Sequence, residues 1–417
     1  MRLRKIMPAE SIILVTNQEN FFNVFNQVKE VEKEFNKSQI LTEPQSLNTL
    51  PAITCAIKYL VEIKRADLNS PIIVSPSDSY IQEPGIYLNL LESAASIIGD
   101  NIGTIGIIPT KPEIGYGYIK KGERNGNYFK IEKFVEKPDK ETALEYVSSG
   151  QYVWNSGMYI FKIKTFVREL KKYAPAIYSL LIQPLEIFME KFQELPKVSI
   201  DVGIAEKSAR MVVFEGDFGW SDIGSFDSLA EIAGNAPQAK HINIDSKNIF
   251  VHSANNRLVA TLGVRDLIVV ENNDCILVQK KGRSEDIRKI VEYLNENNYQ
   301  EAEHNLIVHR PWGRYEVLLD EIGYKVKKIM VYPGEKLSLQ SHFHRVEHWV
   351  VVRGTAKIIN GGEEIFLREN ESTFIPAMAR HRLENSGKIS LEIIEVQTGN
   401  YIEEDDIIRY DDVYKRD

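Results

Sequence analysis

The chain has 417 residues, 43% of them apolar and 26% charged, and carries a net charge of −8. That length calls for more than one core, and that composition is an ordinary globular one. The acidic balance argues against broad nucleic-acid or anionic-membrane binding, and no apolar run is long enough to span a bilayer.

At the start, basic Met1-Arg-Leu-Arg-Lys5 is followed by an apolar run, Ile12 to Val15, too short for a signal peptide. Cys55 and Cys275 lie far apart in sequence, which predicts reduced thiols, two small buried core residues and a cytoplasmic address. Ser11-Ile-Ile-Leu-Val-Thr16 reads as a strand, Phe21 to Asn36 and Ala52 to Ala66 as helices, and Pro71-Ile-Ile-Val-Ser75 as the next strand. Further strands are expected at Thr104 to Pro109 and Phe129 to Glu136, and further helices at Glu141 to Ser149, Ile163 to Tyr173 and Ile182 to Leu195. This alternation of β-branched runs with helical periodicity predicts an open α/β sheet.

From about Asn248 the texture changes. Asn248–His252, Arg257–Ala260, Asp266–Val270 and Cys275–Gln279 are short strands at near-regular spacing, divided by Asn, Gly and Asp turns. They predict a coil of parallel β-turns, closed by a polar helix over Ser284 to Asn297. The polar run Asn295 to Glu303 is the best linker, and from Pro311 onward the pattern is nearly all β.

The densest chemistry is near the C-terminus. Four of the eight histidines fall between 342 and 381, beside Gln340 and Glu347. Imidazole nitrogen with carboxylate oxygen suits a divalent transition metal, zinc above all. Strand alternation puts Gln340, His342 and His344 on one face, and a hairpin can return Glu347 to it. The stretch resembles the first motif of the cupin barrel. Anchored on Gly334 and Gly354, Gln340 takes the first histidine slot, His342 the second and Glu347 the glutamate slot. Pro376-Ala-Met-Ala-Arg-His381-Arg-Leu-Glu-Asn385 keeps Pro, His and Asn of the second motif, with Met378 at its usual glycine. The resemblance implies a metal held by Gln340, His342, Glu347 and His381; His344 and His348 either orient a ligand or simply pack.

Local sequence narrows the family. Arg310-Pro-Trp-Gly-Arg-Tyr-Glu316, Tyr324-Lys-Val-Lys327, Leu337 to Trp349 and Glu395 to Arg409 closely resemble type II mannose-6-phosphate isomerase, which interconverts mannose 6-phosphate and fructose 6-phosphate. The implied chemistry moves a proton between C2 and C1 through a cis-enediolate beside a dication. Glu384, Glu395 and His344 stay open as the proton-transfer group. Arg382, Arg409 and Lys327 are the cations offered to the phosphate, Arg382 foremost because it adjoins a ligand.

The first half resembles the guanylyltransferase part of the same bifunctional enzymes, which join mannose 1-phosphate and GTP into GDP-mannose. The matching pieces are Gly115-Tyr-Gly117-Tyr118, Phe134-Val-Glu136-Lys137-Pro, Trp154-Asn155-Ser-Gly157-Met, Ser199-Ile-Asp201 and Gly219-Trp-Ser-Asp222-Ile-Gly224. The resemblance implies sugar phosphate on Lys137, sugar on Asn155 with Gly117 and Glu136 in the same set, and Mg²⁺ on Asp78 and Asp222 if this half is active. Two departures fall on the nucleotide side. Ser11 to Thr16 aligns with the family's second strand and no glycine-rich phosphate loop follows. The guanine-side segment Gly-Arg-Asn-Thr-Ala-Pro reads Ser46-Leu47-Asn48-Thr-Leu-Pro51. A partner supplying the absent segment, or a mis-assigned start, is the counter-expectation to an impaired guanylyltransferase.

The expected architecture is therefore an N-terminally truncated α/β nucleotidyltransferase-like (Rossmann-like) domain over 1–245, a β-helix-like connector with a helix over 246–300, and an all-β cupin (jelly-roll) barrel over 301–417. A homo-oligomer is expected. A guanylyltransferase completed by a partner chain and a non-catalytic sugar-phosphate-binding scaffold are the rival readings.

Overall fold

A computed structural model describes residues 2–18, 20–234, 239–272, 274–297, 299 and 307–411. The chain divides into two compact units, Met1–Leu229 and Ala230–Asp417.

In the first unit a six-stranded mixed sheet runs in the order Pro71–Val74, Tyr152–Lys162, Ile102–Ile107, Met211–Gly216, Tyr128–Val135, Tyr118–Asn125. Only the Ile102–Ile107 and Met211–Gly216 pair is parallel among these. Leu14–Asn17 and Ile40–Glu43 form a separate two-stranded parallel sheet. Strand Tyr152–Lys162 shows how the sheet divides the core. Tyr159 and Phe161 enter one apolar cluster with helices Thr49–Glu62 and Ile163–Tyr173, while Met158 and Ile160 enter another with helix Pro84–Ile97. Period-two alternation puts neighbours on opposite faces, and each fully buried side chain of this size contributes about 1.5–3 kcal/mol.

Helix Ile163–Tyr173 falls where the periodicity predicts it. The predicted helix Ile182–Leu195 is instead a short helix, Leu185–Glu190, and a 3₁₀ turn, Phe192–Glu194. Pro184 explains the late start, since its fixed φ suits the residue before a first turn and its missing N–H suits no later one. Cys55 is buried as expected, but Cys275 is exposed, so the expectation of two core cysteines is corrected.

In the second unit the coil of strands is regular. His241–Ile244 pairs in parallel with Val259–Leu262, and Lys247–Ser253 with Arg265–Glu271. Asn248 and Asp266 stack one rung apart, both left-handed (φ 56° and 55°), with Asn248 Nδ2 donating to Asp266 Oδ1 at 2.7 Å. Asn and Asp tolerate that conformation because their short polar side chains can bond locally. Strand Ile276–Lys280 departs from the predicted parallel coil by pairing antiparallel with Arg265–Glu271, and helix Ile287–Glu296 follows. Most of the predicted linker lies outside the described residues.

The C-terminal part is two antiparallel sheets. One has the order Ile307–Arg310, Gly313–Glu321, Tyr324–Val331, Leu391–Gly399, Arg345–Arg353, Ser372–Ile375. The other runs Glu363–Leu367, Ala356–Asn360, His381–Glu384, Leu339–His342, Ile407–Asp411. Trp349, Val351, Ile358, Ile375, Leu383 and Ile393 pack together as the apolar core of this sandwich. It is the jelly-roll the sequence predicts.

Candidate functional site

Two strands of the second sheet and one of the first bring three buried ligand groups together. His342 ends Leu339–His342, His381 begins His381–Glu384, and Glu347 lies in Arg345–Arg353. Their ligand atoms lie within 4.8 Å of one another, and no other group of His, Cys, Asp and Glu among the described residues is drawn together in this way. His342 and His381 are 0% exposed and Glu347 is 1% exposed.

The tautomers are fixed by the backbone. His342 Nδ1 lies 2.7 Å from the Arg345 carbonyl and His381 Nδ1 lies 2.9 Å from the Ala379 carbonyl. A carbonyl only accepts, so both Nδ1 atoms carry a proton and both Nε2 atoms are turned toward Glu347. Neither Nε2 has a hydrogen-bond partner, although Glu347 Oε1 lies 3.1 Å from the first and Oε2 lies 3.8 Å from the second. Burial would raise the Glu347 carboxyl, but His342, His381 and Arg345 outweigh it and hold it far below the ordinary carboxylate range. Burial also lowers His381, against the pull of Glu347. Two imidazoles whose buried Nε2 atoms lack a hydrogen-bond partner, set around an ionised carboxylate, fit a divalent cation, since an unpaired buried polar atom is costly without a partner.

Gln340 sits directly across from His381 in the strand register. Its Oε1 accepts from Ser338 Oγ at 3.0 Å, and it lines a cavity that opens to solvent. The same cavity is lined by Arg310, Tyr315, Lys327, Arg345, Glu395, Gln397, Glu404 and Arg409, among others. Gln397 Nε2 and Trp349 Nε1 each donate to both Glu347 and Glu395, at 3.0–3.1 Å. Burial first, and then the charge of Glu347, pushes the Glu395 carboxyl well above its usual range.

Of the sequence candidates, Gln340, Lys327, Glu395 and Arg409 line this cavity. Three others are corrected. Arg382 and Glu384 alternate with His381 and Leu383, so they leave the opposite face of the strand. Arg382 is engaged there by Asp411, and Glu384 by Lys357 at 3.4 Å. The His344 side chain is 61% exposed, with Nδ1 2.8 Å from Asp406 Oδ1. Alternation explains that as well: the chain turns between the strands ending at His342 and starting at Arg345, so the face is not carried to 344. Sequence reasoning passed over Arg345, Trp349 and Gln397, each two positions from a recognised carboxylate. Period two from Glu347 and Glu395 was the signal that could have found them.

Met378 adopts φ 65°, and its N–H donates to the His342 carbonyl at 2.8 Å. The turn therefore keeps a glycine-like conformation without glycine.

In the first unit, Gly117, Glu136 and Asn155 converge. A Cβ on Gly117 would meet Glu136 Oε2 at 2.6 Å and Asn155 Cβ at 3.6 Å. The Asn155 amide is oriented by three bonds: Oδ1 accepts from Thr104 Oγ1 (3.0 Å) and the Gly157 N–H (3.3 Å), and Nδ2 donates to Asp201 (2.8 Å). Lys137 is exposed and left-handed, φ 47°. Asp78 and Asp222 lie just beyond the same end of the two-rung ladder Trp220↔Ile81, Ser221↔Tyr80. Asp222 Oδ1 accepts from Tyr116 OH at 2.8 Å, while Asp78 is exposed. Leu47 points into the main apolar cluster beside Leu50 and is 6% exposed.

Family profiles match along the chain: "Nucleotidyl transferase" over 2–239, "MannoseP isomerase/GMP-like beta-helix domain" over 239–294 and "Mannose-6-phosphate isomerase C-terminal" over 296–412. The xanthan biosynthesis protein XanB of Xanthomonas campestris pv. campestris (strain B100) is 39% identical over 424 residues, covering 98% of this chain and 89% of that protein. A mannose-1-phosphate guanylyltransferase of Escherichia coli K12 is 39% identical over 430 residues, with the same coverages. A crystal structure named mannose-1-phosphate geranyltransferase, from Thermus thermophilus, matches with a TM-score of 0.63 and 29% identity over 70% of this chain and 87% of that one.

Proposed function

The chain belongs to the bifunctional mannose-1-phosphate guanylyltransferase family with a C-terminal mannose-6-phosphate isomerase domain, and from that premise we propose that its jelly-roll isomerises mannose 6-phosphate and fructose 6-phosphate for GDP-mannose and polysaccharide synthesis. The observation that carries this is the pair of orphaned Nε2 atoms facing ionised Glu347 beside a cavity lined by cations.

His342, Glu347 and His381, with Gln340 adjoining, would hold zinc or a related divalent cation. Such an ion would polarise the substrate carbonyl and offset the negative charge that develops on deprotonation. Glu395 is the proton-transfer group: of the three carried from the sequence it is the one that lines the cavity. Its carboxylate form takes the proton from C2 and its acid form returns it to C1, while the hydroxyl proton passes from O2 to O1, giving the ketose through a cis-enediolate. Trp349 and Gln397 fix that carboxyl in place through hydrogen bonds to its two oxygens. Lys327 and Arg409 take the phosphate.

The guanylyltransferase reaction is the family activity of the first unit, and we read it as impaired in this chain. At the position where the family presents an arginine toward the nucleotide, Leu47 is sunk in the core. A buried isobutyl group offers neither charge nor hydrogen bond to a guanine nucleotide. Mg²⁺ on Asp78 and Asp222 belongs to this unit only if it turns over. One coupled assay tests both halves. Conversion of mannose 6-phosphate that a chelator abolishes and Zn²⁺ or Co²⁺ restores is the expected result. Robust GDP-mannose formation from GTP, mannose 1-phosphate and Mg²⁺ would overturn the impairment, and chelator-insensitive isomerisation would overturn the metal mechanism.

A further inference from the structure

We propose that Arg310 joins Lys327 and Arg409 in binding the substrate phosphate, and that the Glu404 carboxylate is a built-in anion that holds this subsite until phosphate displaces it. The inference rests on the isomerase reading for its substrate but on separate residues for its geometry.

The cavity lining holds four cationic side chains, Arg310, Lys327, Arg345 and Arg409, against two carboxylates, Glu395 and Glu404. Glu395 lies among the groups around Glu347 and also stands across from Lys327 in the strand register. Glu404 is the carboxylate that bonds Lys327 directly. Its Oε1 accepts from Lys327 Nζ at 2.7 Å. Both Lys327 and Arg310 border the Tyr315 ring, with Lys327 Nζ 4.9 Å and the Arg310 guanidinium carbon 5.7 Å from its centroid. Both side chains line the same cavity, and the charges of both act on the Glu404 carboxylate.

Glu404 is not a loose surface acid. Arg345 Nη1 donates to the carbonyls of Ile402 (3.2 Å) and Glu403 (3.0 Å), pinning the chain just ahead of it. Two residues later, Asp406 accepts from the His344 N–H at 3.0 Å and sits 2.8 Å from its Nδ1. The short 3₁₀ turn Glu404–Asp406 is thus tethered on both sides with the Glu404 carboxylate turned to the cations. Burial would raise that carboxyl, yet Lys327, Arg345 and Arg310 together hold it below its ordinary range. The groups that stabilise this carboxylate are those a phosphate monoester needs.

The exchange is chemically reasonable. Lys327 is 6% exposed, and a buried ammonium left without a counter-ion is strongly destabilising. Glu404 is its hydrogen-bonded counter-ion in the free protein, beside Glu395, and the Glu404 side chain is 46% exposed, so it can turn outward when a dianion arrives. Arg310 follows from the same cradle, since phosphate prefers a guanidinium fork with two parallel bonds.

Calorimetric titration of the full chain with inorganic phosphate, mannose 6-phosphate and mannose tests this. Wild type is compared with E404Q, R310M and R310K, each first checked for wild-type metal content and melting temperature. Expected results are a several-fold tighter phosphate affinity in E404Q and a loss of about tenfold or more in R310M, the worth of one charge-assisted bond. R310K should recover part of the loss, and mannose binding should not follow the pattern. Unchanged phosphate affinity in both E404Q and R310M overturns the proposal. So does weaker binding in E404Q, which would make Glu404 a support for Lys327 instead of a competitor for it. The wild-type isomerase assay separates the two readings. The expected pattern without any turnover supports this subsite while sinking the isomerase, and turnover with variant-independent affinity sinks the subsite alone.

Discussion

Glu347 and Glu395 share two donors, and opposite protonation follows from that sharing. Glu347 faces Gln397 and Trp349 faces Glu395 in the register of adjacent strands, so all four side chains leave one face of the sheet. Trp349 Nε1 is 3.0 Å from an oxygen of each carboxyl group, and Gln397 Nε2 is 3.1 and 3.0 Å from them. Two buried carboxylates this close cannot both be charged cheaply, so one keeps its proton. Glu347, faced by two imidazoles and Arg345, is the one that ionises.

The first prediction concerns metal retention. His342→Ala removes one orphaned Nε2 and should leave the purified chain without stoichiometric metal and without isomerase turnover. Trp349→Phe keeps every ligand but loses an indole donor to Glu347, and should weaken metal affinity by about 10- to 100-fold. Elemental analysis after dialysis against a graded chelator series reads both. Metal content in His342→Ala equal to wild type would remove that residue from the site.

Acid and alkali should each weaken the metal-stripped barrel, through different groups. His381 sits below its ordinary 6.5, because burial disfavours its cation more than Glu347 favours it. Its folded form resists protonation, so the stability it confers is lost as pH falls below the unfolded value. Glu347 acts in the same direction at lower pH, being held below its ordinary 4.5. Glu395 is raised, so its contribution is complete below the unfolded carboxylate value and disappears as pH rises through the folded one. Melting temperature against pH should therefore fall on both sides, and Glu395→Gln should flatten the alkaline side alone. An alkaline limb identical in that variant would contradict the assignment.

Met378→Gly should stabilise the barrel. The residue holds φ 65° with its side chain 66% exposed, so it carries left-handed strain without a packing return. Relief of that strain is worth about 1–2 kcal/mol, reduced by the greater chain entropy glycine has when unfolded. Chemical denaturation should show a net gain of up to about 1 kcal/mol. A loss would mean that the methionine side chain makes a contact that matters.

Thiol labelling should distinguish the two cysteines. Burial, reinforced by Glu43, pushes the Cys55 thiol up to about 12, while Cys275 is exposed. Native protein near pH 8 should take up one equivalent of an alkylating reagent, at Cys275, and a second only on unfolding. Mass spectrometry of the peptides decides it; rapid native labelling of Cys55 would show that its pocket opens.

Much of this arrangement could be read from the sequence because it depends on local period. The spacing from Gly334 to Gly354 places His342 and Glu347, and Pro376 to Asn385 places His381, whatever the rest of the chain does. The strands of the coil, at Asn248 and Asp266, follow from turn residues that tolerate positive φ. What escaped was non-local. Nothing in the neighbourhood of Glu404 says that it meets Lys327, 77 positions away in the chain. Adjacency to a ligand favoured Arg382, but one step along a strand reverses the face, so the neighbour of His381 points away from it. Strand Met211–Gly216 is apolar at nearly every position, and its partners, Ile102–Ile107 and Tyr128–Val135, are set by the sheet and not by its own residues.

The bridging indole has an optical consequence. Trp349 is 1% exposed and its N–H points between two carboxyl groups, only one of which should be ionised in the free protein. A cation drawn to Glu347 alters the field along that ring's long axis, so its emission colour and lifetime become a gauge of occupancy. Replacing the other three tryptophans, Trp154, Trp220 and Trp312, would leave a single built-in lamp at the centre. Filling and emptying could then be followed in real time, without a substrate or a coupling enzyme.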